Sequence, residues 1–476
     1  MTNHFQTPTP IRRSGKNSPN TCTVTAAAAE FIDALDTATL PPEIVEKART
    51  CVFYGFGIGL ACLKQSTAAV AAQAAVELDG APGGKGAAVL LDGRSGSIST
   101  AAFSNAVLLH SRCQEDTSGT AHLGVAVLPV ALALLEAGLA DKESFIAGIV
   151  AGYEVAGALE AVLGRDTMAA GFRASPLYGT IAAAAASAKM MKLDQAQIGA
   201  ALANAASFTG GTLQSIPEGS DEWRYQAGLA ARNGLLGSSL ALCGAVAARR
   251  AYEGGQGFAA AYARKALASD DLELGRIWRL PQVTFKPYPV CAHNQAPTLV
   301  AAQVHARFKP HEIKALRVRI NPYVVPGMLE RGPFSRVPET LMSTYFCCAS
   351  ASVYGTVTMS RLACYDDPGI AAMLPRLSIV TDPAVGFPSA AADVTTHDGA
   401  TQSFLESRSF CDFSLNREQV RAQLLRLAEE EKFPADAVDL LHGFAFNPDG
   451  PEANEVTRAY GLARSAYDGD MARRPT

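Results

Sequence analysis

The chain has 476 residues, 48% of them hydrophobic and 18% charged, with a formal net charge of −4 at neutral pH. That length and apolar content suffice for two or three packed domains. A pI of about 6.1 and the lack of a long Lys/Arg run exclude the electrostatic footprint of a nucleic-acid binder, so the expected partner is a small molecule or another protein.

Residues 1–22, "MTNHFQTPTPIRRSGKNSPNTC", are polar, Pro-rich and free of acidic side chains, and they lack the apolar core of a secretory signal. They read as a disordered N-terminal tail, with an organelle transit peptide as the alternative. From Ala26 to about Leu267, Ala-rich segments with helical apolar spacing follow one another, among them "PPEIVEKARTCVFYGFGIGLACL", "DKESFIAGIVAGYEVAGALEAVLG", "LYGTIAAAAASAKMMKL" and "DQAQIGAALANAASF". So many small residues predict close helix–helix packing in a domain that is almost entirely helical. The apolar stretch Leu123–Leu135 is broken by Pro129 and closed by Glu136. It is too short to cross a bilayer, which takes about 20 helical residues, and is predicted to be a buried core helix.

The texture changes after "LPQVTFKPYPVC". β-Branched alternation appears in "IKALRVRINPYVV", "RLSIVTD" and "AADVTTHDGATQSFLES", and "HDG" is a hairpin signal. Helical spacing returns in "NREQVRAQLLRLAEEEKF" and "PADAVDLLHGF". The reading is a mainly α protein: a large helical domain from 23–280, a smaller inserted α+β domain over 281–406, and C-terminal helices over 407–476 that rejoin the first. A cleft between two such domains is a common place for a small-molecule site. The ten cysteines are scattered without a CxxC pair, which argues against a zinc or iron–sulfur site and for reduced thiols in a cytoplasmic protein.

One stretch concentrates the chemistry. "NAVLLHSRCQEDTSGTAHLG", Asn105–Gly124, gathers His110, Arg112, Cys113, Gln114, Glu115, Asp116, Thr117, Thr120 and His122 between two apolar runs. Its run "NAVLLHSRCQEDT" followed by "HLGVAVLPVALALLE", together with "GYEVAGALE", "GFRASPLYGTIAAAAASAKMMKLD", "EGSDEWRYQAGLAARNG" and "FKPYPVC", resembles the MmgE/PrpD family over nearly the whole chain. The resemblance implies a helical domain built from both chain ends, an inserted lid, a homodimer, and a cofactor-free site between domain and lid. The implied reaction moves a proton on carbon next to a carboxylate of a small di- or tricarboxylic acid. Such a lyase is a dehydratase or decarboxylase; an epimerase using the same proton abstraction, or a non-catalytic binding paralogue, are the alternatives.

Family members that dehydrate or decarboxylate usually carry His-Ala-x-Asp-x-Asp-Asp-Thr, and Cys113 stands at the first aspartate here. Arg173 and Gln226 replace histidines, Trp223 replaces a lysine, and Gln295 stands where a histidine often follows the "KPYPVC" cysteine. Abstraction from a weak carbon acid needs a base against the C–H and donors or cations for the developing charge. The resemblance and the residue types assign Asp116 and His122 as base and acid, Thr117 and Arg112 to a substrate carboxylate, and Arg173 and Arg224 to anion binding. Gln226 and Gln295 are assigned polar contacts without proton transfer, Lys286 and Tyr288 donors from the lid junction, and His293 an alternative catalytic role. The competing structural reading makes Asp116-Thr117 a helix N-cap pair, Arg173 and Arg224 buried ion pairs, and "KPYP" a stiff connector. His110 reads as structural, facing back along its helix.

Overall fold

The structure, a computed structural model, describes residues 22–80 and 84–472; apart from Cys22, the predicted N-terminal tail lies outside them. The protein is mainly α with a small sheet region. Helices α1 (Val24–Ala34), α2 (Pro42–Leu60) and α3 (Ser66–Asp79) are followed by a short antiparallel pair, β1 (Gly86–Ala88) and β2 (Ser95–Ser97). Then come α4 (Ile98–His110), α5 (Gly124–Glu136), α6 (Lys142–Ala169), α7 (Ala174–Met190), α8 (Gln195–Phe208) and α9 (Glu222–Leu242). Side-chain caps set several starts. Thr23 accepts from Ala26 N–H, Asp141 from Ser144 N–H, and Asp194 forms a capping box with Gln197.

The small residues act as predicted from the sequence. A Cβ on Gly152 would lie 2.9 Å from Ala182 O, and one on Gly234 would lie 2.5 Å from Thr180 O. Only glycine lets α6 and α9 approach the α7 backbone this closely. Helix α6 alone among the described residues is long and apolar enough to span a membrane, and it is buried almost throughout by its neighbours.

Two departures from the sequence reading stand out. The β1–β2 hairpin interrupts the helical region, its turn closed by Gly93 N–H to Val89 O with Gly93 at φ 79. The last long helix of this part ends at Leu242, not near Leu267. The glycine-bearing segment "YEGGQGF" cannot sustain helix, and short π and 3-10 turns carry the chain to residue 294.

Beyond these turns, α10 (Gln295–Arg307) leads into β3 (Ile313–Ile320), helices α11 (Val337–Met342), α12 (Thr344–Tyr354), α13 (Met359–Leu362) and α14 (Pro368–Met373), and strands β4 (Leu377–Thr381), β5 (Ala390–Thr396) and β6 (Thr401–Glu406). The sheet order is β4-β3-β5-β6, with β3 parallel to β4 and the other pairs antiparallel. The β5–β6 turn contains "HDG", with Gly399 at φ 88. Helices α15 (Arg417–Glu431), α16 (Ala435–Phe446) and α17 (Ala453–Ala472) return to α2. A Cβ on Gly57 would strike Leu424, and one on Gly59 would strike Tyr460. One buried core accordingly joins Val24–Phe285 to Val420–Tyr467, while a second is built largely from Val290–Val394. Cys113 and Trp223 belong to the second core, so the loop after α4 and the start of α9 reach across to the inserted part.

Candidate active site

The loop between α4 and α5, residues 111–123, is held on three sides. Thr117 and Thr284 exchange backbone hydrogen bonds of 2.9 Å, Tyr54 Oη donates to Gln114 O at 2.5 Å, and Ser118 and Ala121 close a tight turn through reciprocal N–H···O bonds. Cys113 takes a left-handed backbone, φ 56, which turns Glu115 inward. That conformation is uncommon for a residue with a Cβ and marks a segment held by its surroundings.

Glu115 is the hub. Its Oε1 accepts from Lys286 Nζ at 2.6 Å and lies 3.4 Å from His122 Nε2, while Oε2 lies 3.1 Å from His110 Nδ1. Lys286 also donates to Cys113 O at 3.0 Å. All but His122 are sealed from solvent, and the His122 side chain keeps 15% exposure. Burial would push the Glu115 carboxyl up, but Lys286 and the two imidazoles more than offset it and hold it well below the usual range. Burial and Lys286 push His122 well below its ordinary value, and burial brings His110 down to about 4. At neutral pH the cluster thus holds one carboxylate, the Lys286 ammonium and two neutral imidazoles.

The partners assign the tautomers. Arg173 Nη2 donates to His110 Nε2 at 2.6 Å, so the His110 proton sits on Nδ1, facing Glu115. His122 Nδ1 donates to Asp116 O at 2.8 Å, so its basic lone pair is on Nε2. No hydrogen bond reaches that Nε2 from the described residues. His110 Nδ1 and Glu115 Oε2 face each other across 3.1 Å with imperfect alignment, and neither has another hydrogen-bond partner among the described residues.

The remaining sequence-derived candidates divide. Arg173, at the start of α7, donates to Trp223 O, Gln226 Oε1 and His110, so Gln226 meets the cluster through it. Arg224 lies 4.1 Å over the Trp223 ring and is held by Ser111 O and Asp221. Thr117 Oγ1 is 3.5 Å from His122 Nδ1. His293 stacks between Tyr323 and Phe387, with its Nδ1 buried and unpartnered, and burial together with Lys286 brings it down to about 4.

Three expectations are corrected by position. Arg112, expected to neutralise a substrate carboxylate, is fully buried on the far side of the loop, where Glu430, Glu431 and Gln114 take its donors. Gln295 bonds to the Tyr288 backbone and Val290 O, closing the "KPYPVC" turn instead of presenting its amide. His110, expected to face away, lies in the cluster, because its ring packs on Trp223 at 4.8 Å and is aimed by Arg173.

Asp116 is divided between two tasks. Its carbonyl orients His122, while its carboxylate accepts from Tyr153 Oη and from Gly124 N–H at the start of α5. The N-cap of α5 is Leu123, so Asp116 and Thr117 are not an N-cap pair; Asp116 alone reaches the helix start, from eight residues before Gly124. Burial, opposed by the Tyr153 hydrogen bond, pushes its carboxyl up to about 6. Glu115 and Tyr153 were not singled out by residue type. A sequence signal existed for Glu115: an acidic residue between apolar helices, with a histidine five positions before it and another seven after. Nothing local announces Tyr153.

Among the described residues no group of three or more His, Cys, Asp and Glu side chains is arranged to hold a metal ion. The nine described cysteines are all free thiols.

A buried acid–base cluster on a loop between two apolar helices, facing an inserted α+β part, is the setting in which the sequence comparisons fall. Residues 26–269 match the MmgE/PrpD N-terminal domain, and the chain belongs to the MmgE/PrpD family. It is 26% identical over 240 residues to the cis-aconitate decarboxylase-like protein oryM of Aspergillus oryzae, covering 48% of this chain and 49% of that protein. It is 26% identical over 305 residues to a cis-aconitate decarboxylase of Aspergillus terreus, covering 60% of this chain and 61% of that one. The matches thus span 49% and 61% of these two relatives' own lengths, less than two thirds of either.

Proposed function

We propose that the protein is a lyase on a small di- or tricarboxylic acid, with His122 Nε2 taking a proton from carbon adjacent to a carboxylate. The observation that carries this is the state of His122: a neutral, partly exposed imidazole with Nδ1–H fixed on the Asp116 carbonyl and a free Nε2 lone pair. A base works best when its proton-accepting atom is pre-aimed and its conjugate acid is stabilised. Of the groups around the ring only Glu115, 3.4 Å from Nε2, favours an imidazolium at His122, against burial, Lys286, His110 and Arg173. Lys286 and Arg173 provide the positive charge against which a substrate carboxylate and an enolate-like intermediate would be held. The names of the Aspergillus relatives support decarboxylation. There the electron pair of the broken C–CO2 bond stays on carbon, so the proton held at His122 Nε2 would be delivered to that carbon as carbon dioxide leaves, whereas in a dehydration the same nitrogen would remove the proton as water leaves.

The test is a panel of citrate- and aconitate-like acids assayed for release of water or carbon dioxide, with wash-in of solvent deuterium followed in parallel. Turnover that vanishes in His122→Gln supports the proposal. Deuterium exchange with neither water nor carbon dioxide released would instead move the assignment to an epimerase.

A further inference from the structure

Helix α6 presents Tyr153, Gly157, Glu160 and Gly164 at successive steps of three or four, so all lie on one face. That face runs under the site loop. Tyr153 meets Asp116, a Cβ on Gly157 would lie 3.3 Å from Ser118 Oγ, and Glu160 Oε1 accepts from both Thr120 N–H at 2.8 Å and Thr120 Oγ1 at 2.7 Å. The Glu160 carboxylate fits only because glycines flank it. A Cβ on Gly119 would sit 1.8 Å from Glu160 Oε2, and one on Gly164 would sit 2.4 Å from Oε1. Gly119 is also at φ 59, in the left-handed region.

Thr120 is at the tip of the turn Ser118–Ala121, whose reciprocal backbone bonds bring Thr117 and Asp116 alongside His122. Among the described residues no Lys or Arg lies within ion-pair distance of Glu160, although it is buried. A carboxylate in that position is costly unless its hydrogen bonds perform a task a neutral side chain would not.

We propose that Glu160 is a positioning residue for His122: by bolting the turn tip to α6, it keeps the imidazole Nδ1–H on the Asp116 carbonyl and so leaves Nε2, 3.4 Å from Glu115 Oε1, as the basic nitrogen. The proposal rests on the role given to His122 above. Glu160 itself touches Thr120 and not the reacting atoms.

The experiment uses the full chain carrying 15N-labelled histidine, with the His122 signals identified by their loss in His122→Gln. In the wild type His122 is expected as the neutral Nδ1–H tautomer. Glu160→Ala is expected to give a mixture of tautomers and an upward move of the His122 titration, because a loosened loop lets the ring regain water. The charged and titratable groups facing that ring, Glu115, His110, Lys286 and Arg173, are unchanged by the substitution. In turnover assays the same variant is expected to lose roughly tenfold to a hundredfold in kcat with KM nearly constant, the cost of a misplaced group. Glu160→Gln, which retains an acceptor for Thr120, should restore both readouts.

If Glu160→Ala does not fold, Thr120→Val removes one of the two hydrogen bonds, and a smaller change in the same direction is expected. A folded Glu160→Ala or Thr120→Val with unaltered His122 tautomer and titration overturns the proposal. Should no carboxylic acid be turned over by the wild type, the function proposed above fails, while the nitrogen spectra still decide the role of Glu160.

Discussion

Two buried arginine networks lie on opposite sides of the same loop, and they differ in how completely their atoms are paired. Arg112 binds Glu430, Glu431 and Gln114, tying the loop to the end of α15. Arg173 feeds a chain through His110 to Glu115 and Lys286 in which His110 Nδ1 and Glu115 Oε2 meet only each other, imperfectly aligned, and His122 Nε2 accepts no hydrogen bond from the described residues. Burial and charge are common to both. The difference is residual capacity: a saturated network fixes structure, whereas one with unused donors and acceptors can bind a ligand or move a proton.

The largest effect that sharpens this contrast is expected from Lys286→Met, which leaves Glu115 buried without its cation. Breaking such a pair costs about 3–5 kcal/mol, read as a lowered melting temperature or denaturation midpoint. Adding Glu115→Gln should recover most of the stability without recovering turnover. Recovery of both would make the Lys286 network as purely structural as that of Arg112.

Next in size is His122→Gln, expected to lower kcat by about a hundredfold or more with little change in melting temperature. A nearly normal rate in this variant would remove the distinction between the two networks.

Arg112→Met should behave in the opposite way. Glu430 and Glu431 remain partly solvated, so the loss is expected near 2 kcal/mol of stability, with kcat and KM unchanged in folded protein. A KM rise at constant melting temperature would return Arg112 to anion binding.

The smallest effect concerns Asp116, whose carboxyl sits at about 6 in the fold, above its ordinary value of 3.8. Protonation therefore favours the folded state. From this group alone, stability rises as pH falls through 6 towards 4, and that contribution is lost again as pH rises. Asp116→Asn lacks it, so thermal melts from pH 7.5 to 4 should favour the variant most above pH 6, with the difference closing near pH 4. Since the Asp116 carbonyl, not its carboxylate, holds His122, turnover should stay within about tenfold of wild type, well short of the loss a missing general base brings.

Legibility in the sequence followed the range of the interaction. Helical spacing, the "HDG" turn and the run of small residues reported local backbone preference and face, and α4 to α8, the β5–β6 hairpin and the close packing on α7 appeared where those signals stood. The β1–β2 hairpin and the irregular stretch after Leu242 were missed because short runs of Gly, Ala and Ser carry no period strong enough to separate strand, turn and helix.

At the site, the sequence by itself determined which chemistry is present: an acidic and imidazole-bearing loop between two apolar helices, with Lys286 in a proline-framed junction far along the chain. Only the tertiary structure decided direction. Arg112 and Glu115 are three residues apart, yet the left-handed turn at Cys113 sends one guanidinium to α15 and one carboxylate to Lys286, 171 residues away. Spacing along an irregular loop does not encode which way a side chain faces. That depends on partners such as Arg173, Tyr153, Glu160 and Lys286, brought to the loop by helices and a junction whose packing no local pattern specifies.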